Sequence, residues 1–272
     1  MAWSFRFNNF SGDFSKIYPV KINSFSRPLP GMKLDTVKDH QHDGCFVGAG
    51  GKLYPPSTPW DEVPPVLPDN GKPVWRSVVM VNGIMTDVAL QASDLQRMAN
   101  TGCRVVGVHN ATKGMMRDLA QCAGDKLDLK MANNAATETV AQVIHQILHK
   151  DEPPLLVGHS QGALVVSNAL GRVGGEGLKK LEVLTLGGAS WTFPEGPKYK
   201  HFVNVFDAVP MGAGVGAVSW MTCGPDQVKR FGEVHRPTNL PSLEEDVSNY
   251  LARVVDRSVH GPQDVYIPKW EK

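Results

Sequence analysis

Leu155-Leu156-Val157-Gly158-His159-Ser160-Gln161-Gly162-Ala163-Leu164 is the stretch on which the reading turns. Three branched apolar residues predict a short buried strand, and Gln161 to Arg172, ending near Gly174-Gly175, has helical spacing. Between them stands Gly-x-Ser-x-Gly. As a bare string it occurs by chance; after a strand and before a helix it marks a turn too tight for ordinary backbone. Gly158 and Gly162 leave room where a Cβ would strike neighbouring backbone, and Ser160 is held at strained angles. Ser160 then projects from the carboxyl end of a sheet at a helix N-terminus, where free N–H groups favour developing negative charge.

Working outward, apolar runs alternate with amphipathic segments. Ser77–Val81, Cys103–Val108, Leu181–Leu186 and His201–Phe206 read as strands. Helical spacing appears over Asp87–Asn100, at Met115, Leu119 and Cys122, and from Val140 to Leu148, where Pro153-Pro154 stops it. Val228–Val234 suits a last strand, and Ser242-x-x-Glu245 opens a further helix. Strands alternating with helices predict an α/β fold, a mostly parallel sheet flanked by helices.

The first quarter is different. Ten of the 20 prolines lie before residue 75, which disfavours long helices and central strands. The expected organisation is a proline-rich N-terminal extension over residues 1–74, with aromatic anchors such as Trp3 and Phe5, and a catalytic domain over 75–272. The extension either packs on the main domain or serves as a lid or lipid-contacting arm.

A nucleophilic serine needs a base, and the base an orienting acid. Asp207 directly follows the strand ending at Phe206, downstream of the turn. Two histidines come later, His235 and His260, and residue order leaves both open as the base. His109, His145, His149, His159 and His201 read as structural. Two N–H donors are expected for an oxyanion: Gln161, next after the nucleophile, and Ile84. Ile84 lies in Val81-Asn82-Gly83-Ile84 after the first strong strand; Gly83 permits the turn and Asn82 is placed to brace it.

With these parts in place, residues 75–268 resemble α/β-hydrolases of the lipase/esterase type. Val-Asn-Gly-Ile stands where bacterial lipases carry a His-Gly oxyanion motif, with Asn82 replacing the usual histidine. Asp207-Ala208-Val209-Pro210 resembles the acid loop of fungal-type triacylglycerol lipases, which use a late histidine near a tyrosine. His260-Gly261-Pro262-Gln263-Asp264-Val265-Tyr266 resembles that late segment. Gly261-Pro262 would pin the loop carrying the imidazole, whereas Arg236 beside His235 disfavours an imidazolium there. His260 is therefore the expected base and His235 the alternative.

The expected activity is serine hydrolysis of carboxylic esters, of small molecules or lipids, through Ser160, Asp207 and His260. Acyl transfer on the same triad, or a non-catalytic interaction protein retaining the hydrolase shell, are the alternatives. The scheme calls for no metal and no organic cofactor. Asp39-His40-Gln41-His42-Asp43-Gly44-Cys45 is rich in metal-capable side chains, but ligands so close in sequence seldom enclose an ion, and a polar loop is the better reading. Gly48–Lys52 fails the phosphate-loop pattern. Gly212-Ala213-Gly214-Val215-Gly216 lies too late for a dinucleotide fingerprint and reads as an apolar loop over the site.

A net charge of +1 leaves no electrostatic footprint for nucleic acid. The four cysteines share no Cys-x-x-Cys spacing, which argues against a zinc ribbon or a disulfide scaffold. Apolar runs of about four residues exclude a transmembrane segment, which needs roughly 20, and leave transient contact with a membrane surface as the expected mode of meeting lipid. The N-terminus shows no signal-peptide pattern, so a cytoplasmic address is the default; secretion by a dedicated machine without a cleaved signal fits equally.

Overall fold

The computed structural model describes residues 40–84, 86–111, 134–204, 207, 209–210, 214, 228–231 and 266–267. Among these residues eight strands run: β1 (Phe46–Val47), β2 (Leu53–Tyr54), β3 (Arg76–Val81), β4 (Cys103–Val108), β5 (Leu155–His159), β6 (Glu182–Leu186), β7 (Lys198–Asn204) and β8 (Val228–Phe231). They form one sheet in the order β2-β1-β4-β3-β5-β6-β7-β8. Among the described strands every pairing from β4 across to β8 is parallel, while β1 pairs antiparallel with β4 and with β2.

Among the described residues, the sheet is covered by α1 (Val88–Ala99), α2 (Ala135–Ile147) and α3 (Gln161–Val173). The alternation of strand side chains sorts the core into two layers. Val79, Val81, Val106, Val108 and Leu156 pack against Val140, Ile144 and Ile147 of α2 and Val166 and Leu170 of α3. Val78, Met80, Val105 and Val157 point the other way, to Leu95 and Met98 of α1 and to Tyr266 and Ile267.

Helix starts follow local chemistry. Asp87 caps α1 by accepting from Leu90 N (2.7 Å), and Asn134 caps α2 by accepting from Thr137 N (2.8 Å). That cap sets the start of α2 five residues ahead of Val140, where the apolar spacing becomes visible. β7 likewise begins at Lys198 rather than His201. Its first three residues pair with Glu182, Val183 and Leu184, but Lys198 and Lys200 are exposed and give no apolar signal.

From residue 40 the proline-rich stretch shares the sheet and core. It supplies β1 and β2, a bridge from Val66 to Val105, and the buried Trp60 and Val63. Its first 39 residues, the segment around Met115 to Cys122, the loop containing Gly212 (Gly214 apart), and the helix expected from Ser242 lie outside the described residues.

The chain runs from β3 outward to β4, then returns past β3 to β5 on its other side. Where strand order reverses in an open parallel sheet, the connections leave in opposite directions and a crevice opens at the carboxyl ends. Here those ends are Val81-Asn82-Gly83 and His159-Ser160.

Candidate active site

Ser160 closes β5 and caps α3 at φ 53° and ψ −122°. Among the described residues no other residue with a side chain has positive φ. Neighbouring backbone pins this conformation: Ser160 N donates to Leu186 O (3.1 Å), and Ser160 O accepts from Ala163 N (3.1 Å) and Ala189 N (2.8 Å). Both flanking glycines are forced by close approach. A Cβ on Gly158 would lie 2.6 Å from the backbone of Ala163, and one on Gly162 would lie 2.3 Å from Val81 O. The serine is 1% exposed, and its Oγ has no hydrogen-bond partner among the described residues.

A strained serine between a central parallel strand and a helix, at the reversal of this strand order, decides the architecture. The fold is that of the α/β-hydrolases.

In this hydrolase fold the loop after β3 faces the serine. A Cβ on Gly83 would stand 2.6 Å from Ser160 Cβ and 3.2 Å from its Oγ, so only glycine lets the loop come so near. Asn82 holds that loop. Its Nδ2 donates to Gly83 O (2.9 Å) and Asn110 O (3.0 Å), and its Oδ1 accepts from Asn110 N (2.8 Å). Ile84 follows directly, its carbonyl accepting from Thr86 Oγ1 (3.3 Å). Gln161 begins α3, and its buried Oε1 accepts from Asn110 Nδ2 (2.9 Å).

Asp207 lies just past β7, two strands from β5, and is fully buried. Its N–H returns to Asn204 O (3.0 Å). Oδ1 accepts from Val209 N (2.9 Å), and Oδ2 accepts from the Tyr266 hydroxyl (2.5 Å). Burial first, then the Asp207 carboxylate, pushes the Tyr266 hydroxyl well above the usual tyrosine range, so it stays a donor. The same hydroxyl accepts from Asn204 N (3.3 Å).

The structure thus brings Ser160, Gln161, Gly83-Ile84 and Asp207 to one edge of the sheet. His260 and His235, the expected base and its alternative, lie outside the described residues. Among the histidines read as structural, His201 is buried on β7, bonded through Nδ1 to Thr185 Oγ1 (2.8 Å) and stacked on Tyr199; burial lowers it to about 4. His109 is buried with Nδ1 on Gln91 Oε1 (2.7 Å).

Sequence reasoning missed Asn110 and Asn134. The available signal was position: Asn110 comes two residues after β4, the strand beside β3, at the same carboxyl edge. Within the polar stretch His40 to Cys45, Asp43 accepts from Ala111 N (3.0 Å) and Ala135 N (3.3 Å), which ties the loop after β4 to the start of α2. Among the described residues no three His, Cys, Asp or Glu side chains could hold a metal ion. No helix among them is long and apolar enough to cross a membrane.

No protein-family model and no curated protein sequence matches the chain. Among solved structures it is similar to an α/β serine hydrolase without a lid from Xanthomonas campestris, at 14% identity over 61% of this chain and 74% of the other (TM-score 0.38). It is also similar to lipase B of Aspergillus fumigatus, at 17% identity over 44% of this chain and 25% of the other (TM-score 0.28). A third is the esterase domain of a Rhodothermus marinus protein, at 19% identity over 46% and 43% (TM-score 0.23).

Proposed function

We propose that the chain is a serine hydrolase of carboxylic esters, acting on a lipid or other acyl ester through Ser160, His260 and Asp207. The observation that carries this reading is Ser160: a strained, buried hydroxyl at the switch point of the sheet, faced by a loop that only glycine permits. Strain at such a position persists only where surrounding structure enforces it, and it collects at functional sites.

In the proposed reaction Ser160 Oγ attacks the acyl carbonyl carbon while its proton passes to the imidazole of His260. Asp207 fixes the imidazole tautomer and stabilises the imidazolium. The carbonyl oxygen becomes an oxyanion, held by the N–H groups of Gln161 and Ile84. The tetrahedral intermediate collapses, the imidazolium gives its proton to the departing alcohol, and the acyl group stays on Oγ. Water then repeats the sequence and releases the acid. Adjacent strands lie about 4.8 Å apart, so the ends of β5 and β7 are about 10 Å apart. An imidazole bonded at both nitrogens bridges side chains leaning together across that gap. Transient contact with a lipid surface would bring acyl substrates to this edge.

Turnover of p-nitrophenyl esters of graded chain length, followed by phospholipids, tests the reading. Ser160→Ala is expected to lower it by roughly 10⁴–10⁶-fold with the fold intact. A variant keeping more than about a tenth of the activity removes Ser160 from the reaction.

A further inference from the structure

Gln161 and the Gly83-Ile84 loop come from different parts of the chain, yet an oxyanion site needs their N–H groups fixed relative to each other. One residue touches both sides. Asn110 is 1% exposed and follows β4. Its backbone N–H and carbonyl clamp the Asn82 side chain at 2.8 and 3.0 Å, and the same side chain holds Gly83 O. Its own Nδ2 reaches Gln161 Oε1 at 2.9 Å and Asn82 O at 3.5 Å. Its Oδ1 accepts from Asn134 Nδ2 at 2.9 Å.

The directions of these bonds follow from unambiguous backbone groups. Thr137 N–H can only donate, so the Asn134 atom it meets is the oxygen and Asn134 presents its NH2 to Asn110. Asn110 must then turn its oxygen to Asn134 and its NH2 to Gln161, which in turn must offer Oε1. Asn82 is set the same way, because Asn110 N–H donates to its oxygen. The N-cap of α2 thereby dictates the orientation of the Gln161 side chain at the first residue of α3. Buried networks with every member satisfied rigidify what they join.

We propose that Asn110 is a positioning residue that locks the two oxyanion-donor loops in register, acting through the Gln161 side chain on one side and through Asn82 on the other. The inference rests on the serine-hydrolase reading above. It concerns preorganisation, so it bears on the reactive step and not on ligand capture.

The test is the rate of labelling by a fluorophosphonate, whose phosphonyl oxygen takes the oxyanion's place as Ser160 Oγ displaces fluoride. For Asn110→Ala the maximal labelling rate is expected to fall about 10–100-fold while the half-saturating probe concentration stays within about threefold. In a Gln161→Ala background, which keeps the backbone N–H, Asn110→Ala is expected to add less than about threefold, because alanine at 110 keeps the backbone groups that hold Asn82 and both substitutions remove the same side-chain bond. All variants are compared well below their melting temperatures. An unchanged maximal rate in Asn110→Ala overturns the proposal, as do fully multiplicative losses in the double variant. Ser160→Ala is run alongside: if it labels like the wild type, the hydrolase reading itself fails and the positioning role falls with it. If only the Asn110 results fail, the hydrolase reading stands.

Discussion

Ser160 is where sequence and chemistry meet most tightly. A side chain held at φ 53° costs on the order of 1–3 kcal/mol, and glycine would escape most of that cost. Ser160→Gly is therefore expected to be more stable than Ser160→Ala by about 1 kcal/mol in denaturant melts, with both variants inactive. Equal stability would mean that the residue is not strained. The serine, its two glycines and the following glutamine were all legible in the Gly-x-Ser-x-Gly string, because steric exclusion at a tight turn leaves a local trace. Asn110 was not legible. Its meaning depends on Asn82, Gln161 and Asn134, which lie 28, 51 and 24 positions away, and a lone asparagine after a strand carries no mark of such partners.

At the scale of elements, the central strands could be read to within a residue or two, since burial on both faces demands continuous branched apolar runs. Exposed strand positions, such as Lys198, and a helix start set by a polar cap, such as Asn134, could not. The place of Asp207 just past a strand was legible too. What fixes it, the Tyr266 hydroxyl 59 positions on, was visible only as a neighbour of His260. That bond anchors Tyr266, six positions after His260 in the sequence, at Asp207. His260→Ala is expected to abolish ester turnover, while His235→Ala keeps at least a tenth of it. The reverse pattern would transfer the base role to His235.

For the whole molecule, the division near residue 74 suggested by proline content meets a sheet that uses residues on both sides of it. β1 hydrogen-bonds to β4, and Trp60 and Val63 sit in the core under α2. A chain beginning at residue 75 is expected to be insoluble or unfolded, because losing a buried tryptophan alone costs about 3–5 kcal/mol against a total of about 5–15. Soluble, cooperatively melting protein from that chain would show 40–74 to be dispensable. Global stability also carries an acid dependence through His201. Above its ordinary value of 6.5 both states are neutral and it contributes nothing. Between 6.5 and about 4 the unfolded chain binds a proton that the buried ring refuses, so stability falls as pH falls, by up to about 1.4 kcal/mol per unit. Below about 4 the folded state protonates too and this slope ends. His201→Gln, which can keep a bond to Thr185, is expected to flatten the fall between pH 6.5 and 4 relative to wild type; parallel curves would contradict it.

The central claim is that Ser160 is the nucleophile, and peptide mass mapping after fluorophosphonate treatment addresses it most directly. The expected result is one adduct per chain, on the peptide containing Gly158 to Gly162, absent from Ser160→Ala and slowed in Asp207→Asn. A folded protein that takes up no probe, or takes it up on another residue, would contradict the claim.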